Sequence, residues 1–224
     1  MQLLKKNGIL LFWLVLFADC YLIFKGLNEY HAYLKISLVP ILAFYIFLNA
    51  RKKHYIRSKT LVFLGLLCCW IGDIILLRDS TNYFIAGSIA FVGAHIFYSI
   101  FLYRVQKINT TESYEIVIIA ALVLALINYQ FFKFLQDDLE LIPGLYKKLM
   151  IAYGFVLSVT AILATNIYSN KGKRNMALQF FIPAIILLLI SNGVIVIYRY
   201  KYTDESFLKV IIILTYGYGQ CLFA

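Results

Sequence analysis

Residues 68–98 read CCWIGDIILLRDSTNYFIAGSIAFVGAHIFY, two apolar runs broken by the polar residues Arg78, Asp79, Ser80 and Thr81. An α-helix rises 1.5 Å per residue, so ~20 mostly apolar residues cross the hydrocarbon of a bilayer. Neither run alternates polar with apolar residues, as a strand of a membrane barrel does. Helices are then the only way to satisfy the backbone in lipid. The pattern repeats on both sides of this stretch. Apolar runs occupy Gly8–Phe24, Tyr33–Asn49, Leu61–Leu77, Phe84–Tyr103, Ile116–Phe132, Leu149–Asn166, Leu178–Tyr198 and Ser206–Phe223. Eight spans of ~20 residues consume about 160 of the 224 positions. The expected fold is an all-α, polytopic bundle of eight transmembrane helices, one integral membrane domain over residues 1–224.

Composition agrees. Hydrophobic residues make up 62% of the chain and charged residues 14%, with a mean hydropathy of +0.82. Soluble domains are about half apolar and a quarter charged, and disordered chains are poorer still in apolar residues. The net charge of +10 would point to nucleic acid in a soluble protein. In a membrane protein, loop Lys and Arg instead set topology and meet anionic headgroups. Twelve cations fall at the N-terminus and in the second, fourth and sixth loops, with a cluster from Arg51 to Lys59; nine fall on the other side. That excess places both termini in the cytoplasm. Lys5-Lys6 before GILLFWLVLF imitates a signal peptide, but no A-x-A site follows, so an uncleaved first span is expected. The loop from Lys133 to Lys148 reads equally as a short interfacial helix or an ordinary loop. Cys20, Cys68, Cys69 and Cys221 lie in apolar runs without metal spacing and read as core residues.

Polar groups at membrane depth carry the functional information. Asp73 lies about 18 Å into the third run. An ionisable residue there needs a cavity or a partner, and a carboxyl kept from water can serve as a general acid. Gly87, Phe91, His95 and Tyr98 follow at helical spacing and share one face, with Gly87 allowing close helix approach. Ser191 and Asn192 sit at similar depth in the seventh run, and Tyr216 and Gln220, four apart, share a face of the last. Similar depth predicts that Asp73, His95, Tyr98 and Asn192 line one polar cavity. For most of these residues, hydrogen bonding between helices is an equally good account. Asp19, near the outer end of the first run, is expected to snorkel toward water, and Lys35, at the outer mouth of the second, to anchor at the interface or to contact a phosphate. His31 and His54 read as loop residues. No zinc motif, Ser hydrolase elbow, P-loop or GxGxxG occurs, and no metal or other cofactor is called for.

Gly72-Asp73 followed by Gly87, Phe91, His95 and Tyr98 resembles the YhhN-like family of membrane lysoplasmalogenases. Lys35 with Pro40, Tyr153, and Tyr216 with Gln220 match further family positions in order and spacing, over about 190 residues in all. One position departs: the family's seventh span carries Ser-Asp, where this chain has Ser191-Asn192. The resemblance implies an eight-helix fold and hydrolysis of the vinyl ether bond of lysoplasmalogens, to a fatty aldehyde and glycerophospho-ethanolamine or -choline. It implies a catalytic set of Asp73, His95 and Asn192, with Asp73 as acid, and substrate contacts from Lys35, Tyr98, Ser191, Tyr216 and Gln220. The partners are then a lysophospholipid substrate and the lipids of the cell membrane, with no nucleic acid or protein partner called for. Two other classes compete. A lysolipid-binding or sensing protein would use the same pocket without turnover. A small transporter would show an inverted repeat, and none is visible. The orientation is testable directly: reporters fused at Ala224 and inserted within residues 51–59 should both read cytoplasmic, and a signal from the far side at either one reverses the orientation.

Overall fold

The computed structural model describes residues 2–49, 56–78, 80–108, 111–140, 144–203 and 205–223, and no strand occurs among them. The helices are α1 (Gln2–Phe24), α2 (Asn28–Asn49), α3 (Ile56–Ile75), α4 (Thr81–Val105), α5 (Tyr114–Phe134), the short α6 (Gln136–Glu140), α7 (Gly144–Ser169), α8 (Arg174–Tyr200) and α9 (Ser206–Phe223). Seven of these are long and apolar enough to cross a membrane: all but α3 and α6. The chain is therefore an integral, multi-pass membrane protein. The expected third span, Leu61–Leu77, falls on α3, a helix of 20 residues that bears Asp73 two positions before its end and is not among the seven. The Arg51–Lys53 part of the basic loop and His54 lie outside the described residues.

Local chemistry sets the helix ends. α1 stops where Gly26 takes φ 73°; the N–H of Leu27 then reaches back to the Leu22 carbonyl, a Schellman closure that needs glycine at the left-handed position. Ser80 caps α4 by accepting from the Tyr83 N–H. α7 and α8 begin before their apolar runs, at Gly144 and Arg174 rather than Leu149 and Leu178, because helical hydrogen bonding continues into the headgroup zone. The second turn of α8 is π-helical, Ala177–Phe181, just before Pro183. The loop after α5 forms α6, the short-helix alternative of its two readings.

The long helices form a ring in which α1 packs on α2, α2 on α3, α3 on α4, α4 on α7, α7 on α8, α8 on α9 and α9 back on α1. α5 stands outside the ring against α7 and buries no residue of its own. The expected face of α4 points inward: Gly87, Phe91, His95 and Tyr98 are all buried. A Cβ on Gly87 would stand 2.7 Å from the Leu76 side chain and 3.4 Å from the Gly72 carbonyl, so glycine here permits the α3–α4 approach.

Pro40 stands inside α2. Proline has no N–H, so the carbonyl four residues earlier loses its helical partner. That carbonyl belongs to Ile36, and the Trp70 indole N–H donates to it across the α2–α3 interface at 3.0 Å. Lipid supplies no substitute donor, so the bond fixes α3 against α2. Trp70→Phe should therefore destabilise the protein by about 1–3 kcal/mol through the unpaired carbonyl. In a Pro40→Ala background the restored N–H should satisfy Ile36, and the same substitution should cost about 1 kcal/mol less. Thermal unfolding of the four proteins in detergent measures this; equal costs in both backgrounds would contradict it.

Candidate active site

Helical spacing along α3 builds the site from the Trp70 anchor. Asp73 lies three residues beyond Trp70, and Lys35 precedes Ile36. The Trp70–Ile36 bond thus brings Lys35 Nζ to 3.8 Å from Asp73 Oδ1. Asp73 is 2% exposed and Lys35 11% exposed. From the opposite wall, the Tyr216 O–H donates to Asp73 Oδ2 at 2.7 Å, and the Tyr216 ring meets Phe91 edge-on. Both carboxyl oxygens are thus engaged, as burial of such a group requires. Lys35 does not sit at a mouth, as its place in the sequence suggested: α2 begins at Asn28, which carries Lys35 two turns into the helix and turns it inward.

One helical turn below, the pattern recurs. Cys69 is four residues before Asp73 and Gln220 four after Tyr216, so the same two helices, α3 and α9, present a second rung. Tyr98 donates its O–H to Gln220 Oε1 at 2.7 Å, and Gln220 Nε2 donates to Cys69 Sγ at 3.1 Å. Cys69 remains a core residue, as expected, but it also accepts a hydrogen bond that its position in an apolar run did not signal. All four cysteines are free.

A cavity of about 810 Å³ opens from the first rung and extends between α4, α5, α7, α8 and α9. That volume falls within the range of ligand sites, about 300–1,000 Å³. Lys35, Asp73, Tyr216, Ser191 and Asn192 line it. The Tyr153 O–H donates to Asn192 Oδ1 in a short hydrogen bond, Asn192 Nδ2 donates to the Leu188 carbonyl at 2.7 Å, and the Ser191 O–H donates to the Ile212 carbonyl at 3.0 Å. The remaining wall is predominantly apolar rather than the polar chamber expected from depth. His95, Tyr98 and Gln220 are not on it. Tyr98 and Gln220 are spent on the second rung. His95 is buried edge-on between Tyr98 and Tyr153, with its Nδ1 unbonded. Depth places groups at one level but not on one wall.

Two further outcomes differ from expectation. Asp19 does not snorkel. It is fully buried, and its Oδ1 lies 2.6 Å from His31 Nδ1, because α2 begins early enough to put His31 on a helix facing α1. Its Oδ2 has no hydrogen-bond partner. The second concerns Asn128 of α5, which lines the cavity and donates to Ser158 Oγ at 2.9 Å and to the Leu124 carbonyl at 2.7 Å. Sequence reading passed over it, although the rule that flagged Asn192, an amide in mid-span, applies to it equally. Among the described residues, no group of three or more His, Cys, Asp or Glu is placed to hold a metal ion.

The YhhN family profile matches residues 30–224. The chain belongs to the YhhN family. No curated protein and no solved structure matches it. The YhhN region begins within α2 and contains every cavity residue named above, while α1, with Asp19, precedes it. Both rungs of the α3–α9 bridge therefore belong to the YhhN part of the chain. Of the two, the upper rung holds the Lys35–Asp73 ion pair. Tyr216→Phe removes the sole O–H donor to Asp73 Oδ2 and should lower stability by about 1–3 kcal/mol; thermal unfolding in detergent reads the loss, and an unchanged midpoint would show that the bond contributes nothing.

Proposed function

We propose that this YhhN protein is a lysoplasmalogenase-type hydrolase that cleaves the vinyl ether bond of a lysoplasmalogen, with Asp73 as the proton donor. The observation that carries this reading is a buried carboxyl, met by an ammonium and a phenol, on the wall of a largely apolar cavity. A single-chain lipid has the matching profile: a charged headgroup, a reactive bond next to it, and a hydrocarbon chain. The lipid would be drawn from the cell membrane, with the termini of the protein in the cytoplasm.

The chemistry follows from the groups. Once Lys35 turns to the phosphate, Asp73 takes up a proton from water and transfers it to the β carbon of the vinyl ether, which leaves an oxocarbenium cation beside the regenerated carboxylate. Opposite charges held close in a site shielded from water attract strongly. Water then adds to the cation, its proton returns to Asp73, and the hemiacetal collapses to a fatty aldehyde and a glycerophospholipid headgroup. In glycoside hydrolysis two carboxyls divide the corresponding tasks. Here the second position is Asn192, whose amide can hold a water but cannot take its proton. Lys35, two turns into α2 and on the cavity wall, is the cation available to the phosphate. His95 is set back from the wall, and its part is to pack Tyr98 and Tyr153.

A second reading, lysolipid binding without turnover, is favoured by Asn192 itself, since its amide is already engaged by Tyr153 and Leu188. One experiment separates the two. With purified protein and ethanolamine and choline lysoplasmalogens, wild type should release aldehyde, Asp73→Asn should abolish release, and Asn192→Asp should raise it by ~10²–10⁴ if a second carboxyl supplies the missing acid–base step. If wild type and Asn192→Asp are both inert while still binding lysolipid, hydrolysis is excluded and the binding reading holds.

A further inference from the structure

The cavity is longer than the reaction needs. The walls from α3 and α4 reach no deeper than Asp73 and Val92, whereas α7 lines the cavity as far as Thr165 and α8 as far back as Ile182. Tyr153 and Asn192 mark one level through their mutual hydrogen bond. From that level the cavity extends twelve residues along α7 and ten back along α8, about 15–18 Å at 1.5 Å per residue. The deep part is lined by branched apolar side chains such as Leu157, Ile185 and Leu189, interrupted by Ala120 of α5 and Ala161 and Ala164 of α7, and its last lining residues on α7 and α8 are Thr165 and Ile182. No charged residue lines this deep arm. Along the Val123–Ile127 stretch of α5 the cavity wall is thin, since both residues line the cavity and are also exposed; the far end of α5, Phe131 and Phe132, is the part that packs with Phe84 of α4 and Val196 of α8.

We infer that the deep arm is a chain-length gauge: it takes the hydrocarbon chain of a single-chain lipid that slips in beside α5, and Ala161, Thr165 and Ile182 set how long that chain is. The placement of the reactive bond near Asp73 rests on the function proposed above; the gauge itself rests on the shape of the cavity. A C–C bond of about 1.5 Å near the tetrahedral angle advances an extended chain by about 1.25 Å. An arm of 15–18 Å thus accommodates about 12–14 methylenes beyond the reactive carbons. Ala161 and Ala164 leave room on the α7 side of the arm that larger side chains would occupy. Because the chain arrives from hydrocarbon, the length dependence is steric: a chain that overruns the floor must distort or displace packed side chains, which weakens binding by about 5- to 150-fold, equivalent to about 1–3 kcal/mol.

The test uses saturated alkyl-ether lysophospholipids of 10 to 20 carbons, which the protein cannot hydrolyse, competing with a fluorescent single-chain lipid for the full-length protein in detergent. Vinyl ether substrates of the same lengths are assayed for aldehyde release in parallel. Wild type should bind best at about 14–16 carbons. Ala161→Phe, about one turn above the floor, should shift the optimum down by about four carbons and weaken the longest chains at least tenfold relative to the shortest. Thr165→Leu should do the same by one or two carbons, and Ile182→Ala should shift the optimum up. These two milder changes carry the test if Ala161→Phe fails to fold. Affinity that falls equally at all lengths, an optimum that none of the variants moves, or no competition by any lysophospholipid would overturn the gauge. A shift in binding without aldehyde release would uphold the gauge and remove the hydrolase. Aldehyde release with an immobile optimum would do the reverse.

Discussion

Pro40 removes one N–H from the middle of α2, and a bilayer has no water to replace the bond that is lost. The Trp70 indole closes that gap from α3, and much of the site follows from this one contact. It sets which turn of α3 lies against which turn of α2. Lys35, next to the rescued carbonyl, and Asp73, one turn past the indole, then meet at 3.8 Å. A slip of α3 by one residue would rotate Asp73 by about 100° away from Lys35. In hydrocarbon the cost of an unpaired carboxyl makes such a slip unfavourable, so the backbone repair and the ion pair enforce the same register.

The two rungs between α3 and α9 extend this constraint across the ring. Asp73–Tyr216 and Cys69–Gln220–Tyr98 repeat at one helical turn, which is the geometry two facing helices generate when each carries polar groups four residues apart. The lower rung is closed: its donors and acceptors bond one another, and the cavity does not reach them. The upper rung faces the cavity. A bridge that stops at one turn would leave the buried carboxyl held by α2 and one phenol; the second turn keeps α3 and α9 at a fixed separation. Interhelical bonding and ligand contact, equally good accounts of these residues from sequence, thus divide by layer, with the lower rung taking the first role and the upper rung exposed to the second.

The apolar extent of the cavity and the position of α5 bear on how a lipid is handled. α5 buries none of its own residues and is held mainly by its contact with α7, and the proposed route for a lipid runs beside it. A soluble enzyme would have to extract such a ligand into water; here the chain can pass from one hydrocarbon environment to another, so little hydrophobic free energy changes along the way. Under the proposed function, discrimination then comes from the ends of the ligand, the charged group at Lys35 and the chain terminus in the deep arm.

Sequence alone determined that the chain is helical, how its apolar runs are ordered and which faces of the helices turn inward. It did so because helix formation in lipid is enforced locally and helical spacing is a property of one segment: Gly87, Phe91, His95 and Tyr98 share a buried face, and Tyr216 and Gln220 do too. The family signature was likewise legible, being a pattern of spacing. Only the tertiary structure decided that Lys35 pairs with Asp73, that Trp70 serves Ile36, that Tyr153 meets Asn192, and that His95 is withdrawn from the cavity while Asp19 is buried on His31. Each of these joins two helices, and residue spacing along one helix carries no term for the rotation and offset of another. Those are set by side chains from both helices packing at once, through contacts that exist only when the ring is closed.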